Sequence, residues 1–220
     1  MGYVKILFAL AAIAATCNAA AVSQKLNVDL YYESLCPGCR ALITGQLVDV
    51  AAALDEYLNI NLVPFGNARY QGKTIVCQHG EEECLGNKIH ACAIKRLNNQ
   101  LQQVQFVGCM DKIPSVEDGG KQCSAKFNLE WEDVQSCANG SEGEALHASY
   151  GKATLALSPT NPFVPVVAID GYRGETSDNF LAFQEKVENQ LLSVLCQKLK
   201  EKGVDLPGAC ISVSLLRSYA

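Results

Sequence analysis

The sequence predicts an α/β fold in which a βαβ unit and a later ββα unit flank a cysteine-rich, partly helical insertion. Three observations predict it. A period-2 apolar pattern near the start of the chain and an apolar β-branched run near its end are each followed by a helical-period pattern, and six cysteines crowd a Gly/Pro-interrupted stretch between.

The first twenty residues, "MGYVKILFALAAIAATCNAA", place one Lys before an apolar run and end in small residues, the layout of a cleavable signal peptide at 1–20. Beyond it no segment reaches the roughly 18 apolar residues of a membrane span, so no span is expected in the mature chain. Cleavage would take Cys17 and Lys5, leaving ten of eleven cysteines and moving the formal charge from −5 to −6. An even, high cysteine count in an oxidising compartment reads as a disulfide framework. The mild acidity and the lack of a basic patch longer than "KLKEK" argue against a nucleic-acid partner.

In residues 21–69, "KLNVDLYYES" alternates Leu26, Val28, Leu30 and Tyr32, a strand pattern. From Cys39 onward Ile43, Leu47, Val50, Leu54 and Leu58 recur at helical steps, and "INLVPFG" follows as a second strand. A strand, a helix and a strand in that order form a parallel βαβ unit. Residues 70–160 form the insertion. "CLGNKIHACAIKRLNNQ" reads as helix, whereas "DKIPSVEDGGKQC" and "CANGSEGE" read as loops. In residues 161–220 an apolar run is broken by Asp170-Gly171, a hairpin signal. "SDNFLAFQEKVENQLLSVLCQKLK" then carries Phe180, Phe183, Val187, Leu191 and Val194 at helical spacing, with Ser177 or Asp178 as N-cap. The combined order, βαβ then ββα, is that of a thioredoxin-like fold.

Cys36-Pro37-Gly38-Cys39 lies at the first strand-to-helix junction, where unpaired N–H groups and the helix dipole favour a thiolate. Pro37 suits the first helical turn. Cysteines in such sites have pKa values lowered from about 8.5 to about 3.5–7.5, which makes Cys36 the nucleophile and the more buried Cys39 the resolving thiol. Two other readings compete. One is a structural disulfide; the other is zinc, with Cys77, His79, Cys84, His90 and Cys92 as candidate partners that form no second two-residue-spaced pair. The strand-end position favours redox chemistry. Val164-Pro165 precedes the C-terminal strand; within this fold a cis-proline there faces the cysteine pair and leaves the preceding backbone free to bind substrate, against the alternative of an ordinary trans proline.

Cys77-Gln78-His79-Gly80, then Glu83-Cys84, Asn87 and Cys92 at fixed intervals, form the most distinctive stretch. Taken as residues alone, its cysteines staple the insertion, and His79 and His90 are more readily structural than catalytic. The stretch is complete against the signature of the gamma-interferon-inducible lysosomal thiol reductase family, which the signal peptide, cysteine pair, proline and C-terminal cysteines also resemble. The resemblance implies reduction of protein disulfides at acidic pH in endosomes and lysosomes, with a role in antigen processing or host defence in animals. It implies Cys36 and Cys39 as the active-site pair, no bound cofactor and an external small thiol as reductant. Disulfide-containing proteins would be the substrates. A disulfide oxidase or isomerase, or a secreted binding protein with a structural Cys36–Cys39 bond, are the alternatives.

Cys77, Cys84, Cys92, Cys109, Cys123, Cys137, Cys196 and Cys210 remain for structural disulfides. Cys196 and Cys210 enclose a short segment and are expected to pair, closing a loop worth about 3 kcal/mol in the chain-entropy account. Asn139-Gly140-Ser141 is a glycosylation sequon, read as lying in an exposed loop. The expected location is the secretory pathway, with the lysosome or endosome or the extracellular space as destination.

Overall fold

The computed structural model describes residues 25–157, 163–174 and 176–212; the expected signal peptide at 1–20 lies outside them. β1 (Leu26–Tyr32) leads to α1 (Pro37–Leu42), a π-helical turn over Ile43–Leu47, α2 (Val48–Leu54) and β2 (Leu58–Pro64). An exposed hairpin, β3 (Arg69–Gln71) and β4 (Thr74–Val76), precedes five helices: α3 (Glu81–Arg96), α4 (Gln100–Met110), α5 (Val116–Lys126), α6 (Trp131–Asn139) and α7 (Ser141–Leu155). β5 (Val166–Ile169) and α8 (Ser177–Glu201) complete the order. Among the described residues no helix is long and apolar enough to cross a membrane.

The central sheet has the order β2-β1-β5, with β1 parallel to β2 and antiparallel to β5. β1 is covered on both faces. Val28, Leu30 and Tyr32 join Leu54, Leu58, Val167, Leu191 and Leu195 in one core, while Tyr31 packs with Val63, Val166 and Phe180 on the other face. This is the mixed sheet of a thioredoxin-like fold. Leu58, read as the last residue of the helical stripe, instead opens β2, because the helical run ends at Tyr57. It still enters the same core, fully buried.

The expected hairpin after β5 is reduced to one bridge between Ile169 and Tyr172. The turn itself forms, with positive φ at Asp170 (48°) and Gly171 (80°), but a side chain takes the place of its second strand. Gln184 of α8 accepts from the Val167 N–H (2.8 Å) and donates to the Val167 carbonyl (2.9 Å). Gln100 treats the opposite edge alike, accepting from Ile60 N–H (2.9 Å) and donating to the Leu58 carbonyl (2.8 Å). The N-cap of α8 also falls one residue before the expected pair, at Thr176, whose hydroxyl accepts from the Asn179 N–H.

The two stretches read as loops are largely helical, in α5 and across the α6–α7 junction. Their glycines serve close packing rather than turns. A Cβ at Gly120 would lie 2.5 Å from the Trp131 ring, and one at Gly143 would lie 2.5 Å from the Cys137 carbonyl oxygen. Ser115 caps α5 by accepting from the Asp118 N–H. Disulfides link Cys92 to Cys137, Cys109 to Cys123, Cys77 to Cys84 and Cys196 to Cys210.

One more junction positions the site. Gln46, in the π-helical turn, donates to the Glu188 carbonyl and accepts from the Leu191 N–H (2.9 Å). α8 is non-helical at Gln190 (φ −145°, ψ 42°), so the inserted side chain satisfies the backbone where the ladder breaks.

Candidate active site

The chain turns out of β1 through Glu33-Ser34-Leu35 and enters α1 with Cys36 as N-cap (φ −67°, ψ 121°) and Pro37 in the first turn. Cys36 is 8 % exposed and Cys39 fully buried; among the described residues they are the two cysteines outside a disulfide. The Cys39 N–H donates to Cys36 Sγ at 3.3 Å. Cys36 is thereby lowered to about 6, chiefly by the hydrogen bond from the Cys39 thiol, then by the Cys39 and Gly38 N–H groups and the nearby His79 charge, against burial. Burial pushes the Cys39 thiol far up, and its bond to Cys36 adds to the rise. Two thiols three residues apart are thus driven in opposite directions.

The Val164–Pro165 peptide is cis, and the Cys36 thiol donates to the Val164 carbonyl at 3.6 Å. Pro165 also borders the dipeptide between the cysteines, since a Cβ on Gly38 would meet its Cδ at 3.4 Å. Below the pair, Arg40 approaches Asp111 (Nε–Oδ1 3.8 Å) and donates to the Ile113 carbonyl. Asp111 is pushed up to about 8 by burial despite the guanidinium.

The signature residues gather behind Cys36. Asn87 Oδ1 accepts from the Ser34 N–H (2.8 Å), and Ser34 Oγ donates to the Glu83 carbonyl (3.1 Å). His79 Nδ1 lies 2.5 Å from Glu83 Oε2 and 3.5 Å from Glu33 Oε1. Glu33 Oε2 accepts from the Asn67 N–H (2.8 Å), and the Asn67 side chain donates to Gln78 Oε1 (2.6 Å). Gly80 supplies the positive φ (86°) that starts α3. Cys77 and Cys84 bond to each other, and Cys92 bonds to Cys137. Those sulfurs are engaged and His90 is buried against the Tyr32 hydroxyl (3.2 Å) and lowered to about 3 by burial, so Cys77, Cys84, Cys92 and His90 do not form the second ligand pair that a zinc site at Cys36 and Cys39 would need.

Sequence reasoning missed Glu33 and Asp111. Glu33 is pushed up to about 7, first by burial and then by the neighbouring Glu83, against its bond from Asn67. An acidic residue three positions before a reactive cysteine was a usable signal. Asp111 carried none, since it lies far along the chain at the end of α4.

Cys109 and Cys123, and Cys196 and Cys210, are paired in their own disulfides, and Asn139 is exposed at the end of α6 rather than within a loop. Residues 27–127 match the family described as gamma interferon inducible lysosomal thiol reductase. The chain is 37 % identical over 209 residues to the gamma-interferon-inducible lysosomal thiol reductase of Carassius auratus, covering 90 % of this chain and 79 % of that protein. It is 34 % identical over 232 residues to a gamma-interferon-inducible lysosomal thiol reductase-like protein of Anopheles gambiae, covering 96 % and 92 %. Among solved structures, DsbA of Chlamydia trachomatis superposes with a TM-score of 0.54 at 11 % identity, over 76 % of this chain and 87 % of that one. That likeness concerns the fold. Together these place the chain in the gamma-interferon-inducible lysosomal thiol reductase family, as a protein thiol-disulfide oxidoreductase built on a thioredoxin-like fold.

Proposed function

We propose that the chain reduces disulfide bonds of proteins at acidic pH in the endosome or lysosome, with Cys36 as nucleophile and Cys39 as resolving thiol. The observation that carries this is the lowering of Cys36 to about 6 at the start of α1. At pH 5 a thiol of that pKa is about 10 % thiolate, against about 0.01 % at a pKa of 9.

The Cys36 thiolate attacks one sulfur of the substrate bond, and the other sulfur leaves as a thiolate that takes a proton from water. Cys39 then gives up its proton and attacks Cys36 Sγ, releasing the second substrate thiol and leaving a Cys36–Cys39 disulfide. Two electrons have passed to the substrate. An external small thiol restores the pair, and no bound cofactor is needed. Val164 and Pro165 face the nucleophile and would hold the substrate backbone. The four disulfides and the lysosomal names of the relatives support passage through the secretory pathway. Exposed Asn139 would carry the glycan.

Insulin reduction at pH 5 and pH 7 tests the reading. Wild type is expected to be active at both, Cys36→Ser to be inactive, and Cys39→Ser to accumulate a mixed disulfide through Cys36. Turnover by Cys36→Ser, or adducts through Cys39 in that variant, would sink the role assignment.

A further inference from the structure

His79 is a half-exposed side chain on a short segment bracketed by the Cys77–Cys84 disulfide, seven residues apart. Its ring does not face solvent alone. Nδ1 meets two carboxylates that are almost wholly buried, Glu83 from α3 and Glu33 from the loop that ends in Cys36. The His79 N–H also donates to Glu83 Oε1 (3.1 Å), so Glu83 grips both backbone and ring. Glu33 is fixed in turn. Its Oε2 takes the Asn67 N–H, its backbone carbonyl accepts from the Cys36 N–H (3.4 Å), and Gly66 at φ +61° leaves no room for a Cβ, which would meet Oε2 at 2.2 Å. Glu33 Oε1 has no hydrogen bond, which leaves the His79 ring as its nearest partner of opposite charge.

We propose that His79 is a positioning residue for the reductase reaction: held by Glu83 and Glu33 within the Cys77–Cys84 bracket, its imidazolium supplies the positive charge that favours the Cys36 thiolate. The inference rests on Cys36 being the nucleophile.

The groups facing His79 are Glu83, Glu33 and Cys36, and all three favour its charged form, the hydrogen bond to Glu83 most of all. A His raised in this way is protonated through the acidic range and loses its charge only as pH rises through its raised pKa. Glu33, pushed up to about 7, is neutral in acid and ionises as neutrality is passed, so it repels a thiolate only there. The cluster therefore becomes more negative twice over as pH rises, once as Glu33 ionises near 7 and again as His79 gives up its proton, and its support for the thiolate is greatest in acid. Arg40 and Asp111 approach from the other side of α1 and pair with each other. Lys88, the other cation within the signature stretch, is drawn away to Glu144 (2.7 Å). The arrangement also gives the fixed residues of the signature a common task, since Gln78, Glu83 and Asn87 each bond to a residue that holds the Glu33–Cys36 loop or its neighbour Asn67.

The test is the rate of Cys36 alkylation by iodoacetamide, a neutral reagent, from pH 3 to pH 9, with the modified residue located by mass spectrometry. In His79→Asn the apparent Cys36 pKa should rise by roughly half a unit or more, lowering the rate at pH 5 by about threefold or more. His79→Lys should recover most of it, because charge and not ring shape is required. The double variant Cys77→Ser/Cys84→Ser, which frees the segment, should move in the same direction as His79→Asn. A pH profile of His79→Asn that overlays wild type would overturn the inference, and so would a loss that Lys does not recover. Insulin reduction by wild type and its absence in Cys36→Ser, run alongside, show separately whether the underlying reading stands.

Discussion

The sheet half and the helical insertion of this molecule are held together by different means. The sheet half buries Leu26, Val28, Leu30, Leu54, Leu58, Leu191 and Leu195 around one centre, and its one disulfide, Cys196–Cys210, ties α8 to the segment that follows. The insertion has three disulfides, and three of its cysteines, Cys92, Cys123 and Cys137, sit inside its core beside Ile89, Phe106 and Val134. The reason lies in composition. α5, "VEDGGKQCSAK", contributes Val116 and Cys123 as its buried apolar side chains, alongside Gly119, Gly120 and Ser124. Such helices approach closely but remove little apolar area from water, so covalent closure replaces part of what burial supplies to the sheet.

The largest expected effect follows from the longest bridge. Replacing Cys92 and Cys137 by Ser opens a link across 45 residues, at a cost of about 4 kcal/mol in the chain-entropy account. Urea unfolding should then show the insertion melting before the sheet half. One cooperative transition, merely shifted, would break the comparison. Next in size, Leu30→Ala in β1 should cost about 3 kcal/mol and shift a transition followed through the sheet, with the insertion disulfides intact.

Smallest and most diagnostic is the dependence on pH. Asp111, held at about 8, binds its proton more tightly folded than unfolded, as does Glu33 at about 7. Their contribution is complete below the ordinary carboxylate range of about 4 and is lost as pH rises through about 7 to 8. His90, lowered to about 3, and His147, lowered to about 4, act in the opposite sense, costing stability as pH falls below about 6.5. Stability should therefore peak in mildly acidic solution. Thermal melts of Asp111→Asn should show a shallower decline from pH 5 to pH 8 than wild type; an unchanged slope would remove Asp111 from the account.

Legibility in the sequence followed the same division. β1, β2, the Cys36–Cys39 junction and α8 were readable because apolar period and helix-start chemistry are local signals. α5 and the α6–α7 junction were not, because Gly119, Gly120 and Gly143 look like turn residues until the facing Trp131 ring and Cys137 carbonyl are known. The hairpin after β5 failed for a related reason: a turn signal cannot announce that Gln184, thirteen residues beyond Gly171, will occupy the partner strand's hydrogen bonds. The signature was legible as a unit, yet its work was not. His79 meets Glu33 across 46 residues, a contact only the folded chain reveals.

Gln100 and Gln184 have a consequence of another kind. An enzyme that opens disulfides generates, at arm's length from its own sheet, polypeptides that are extended and short of partners. An open strand border is a template for such chains, and for copies of the enzyme itself. Here each border of the three-stranded sheet carries an amide that imitates the next strand, Gln100 along β2 and Gln184 along β5. The imitation is faithful to direction: Gln100 bridges two residues of β2 in the manner of a parallel neighbour, while Gln184 closes a ring on one residue of β5 as an antiparallel neighbour does. Two side chains thus occupy, at one position on each border, the hydrogen bonds that an added strand would use.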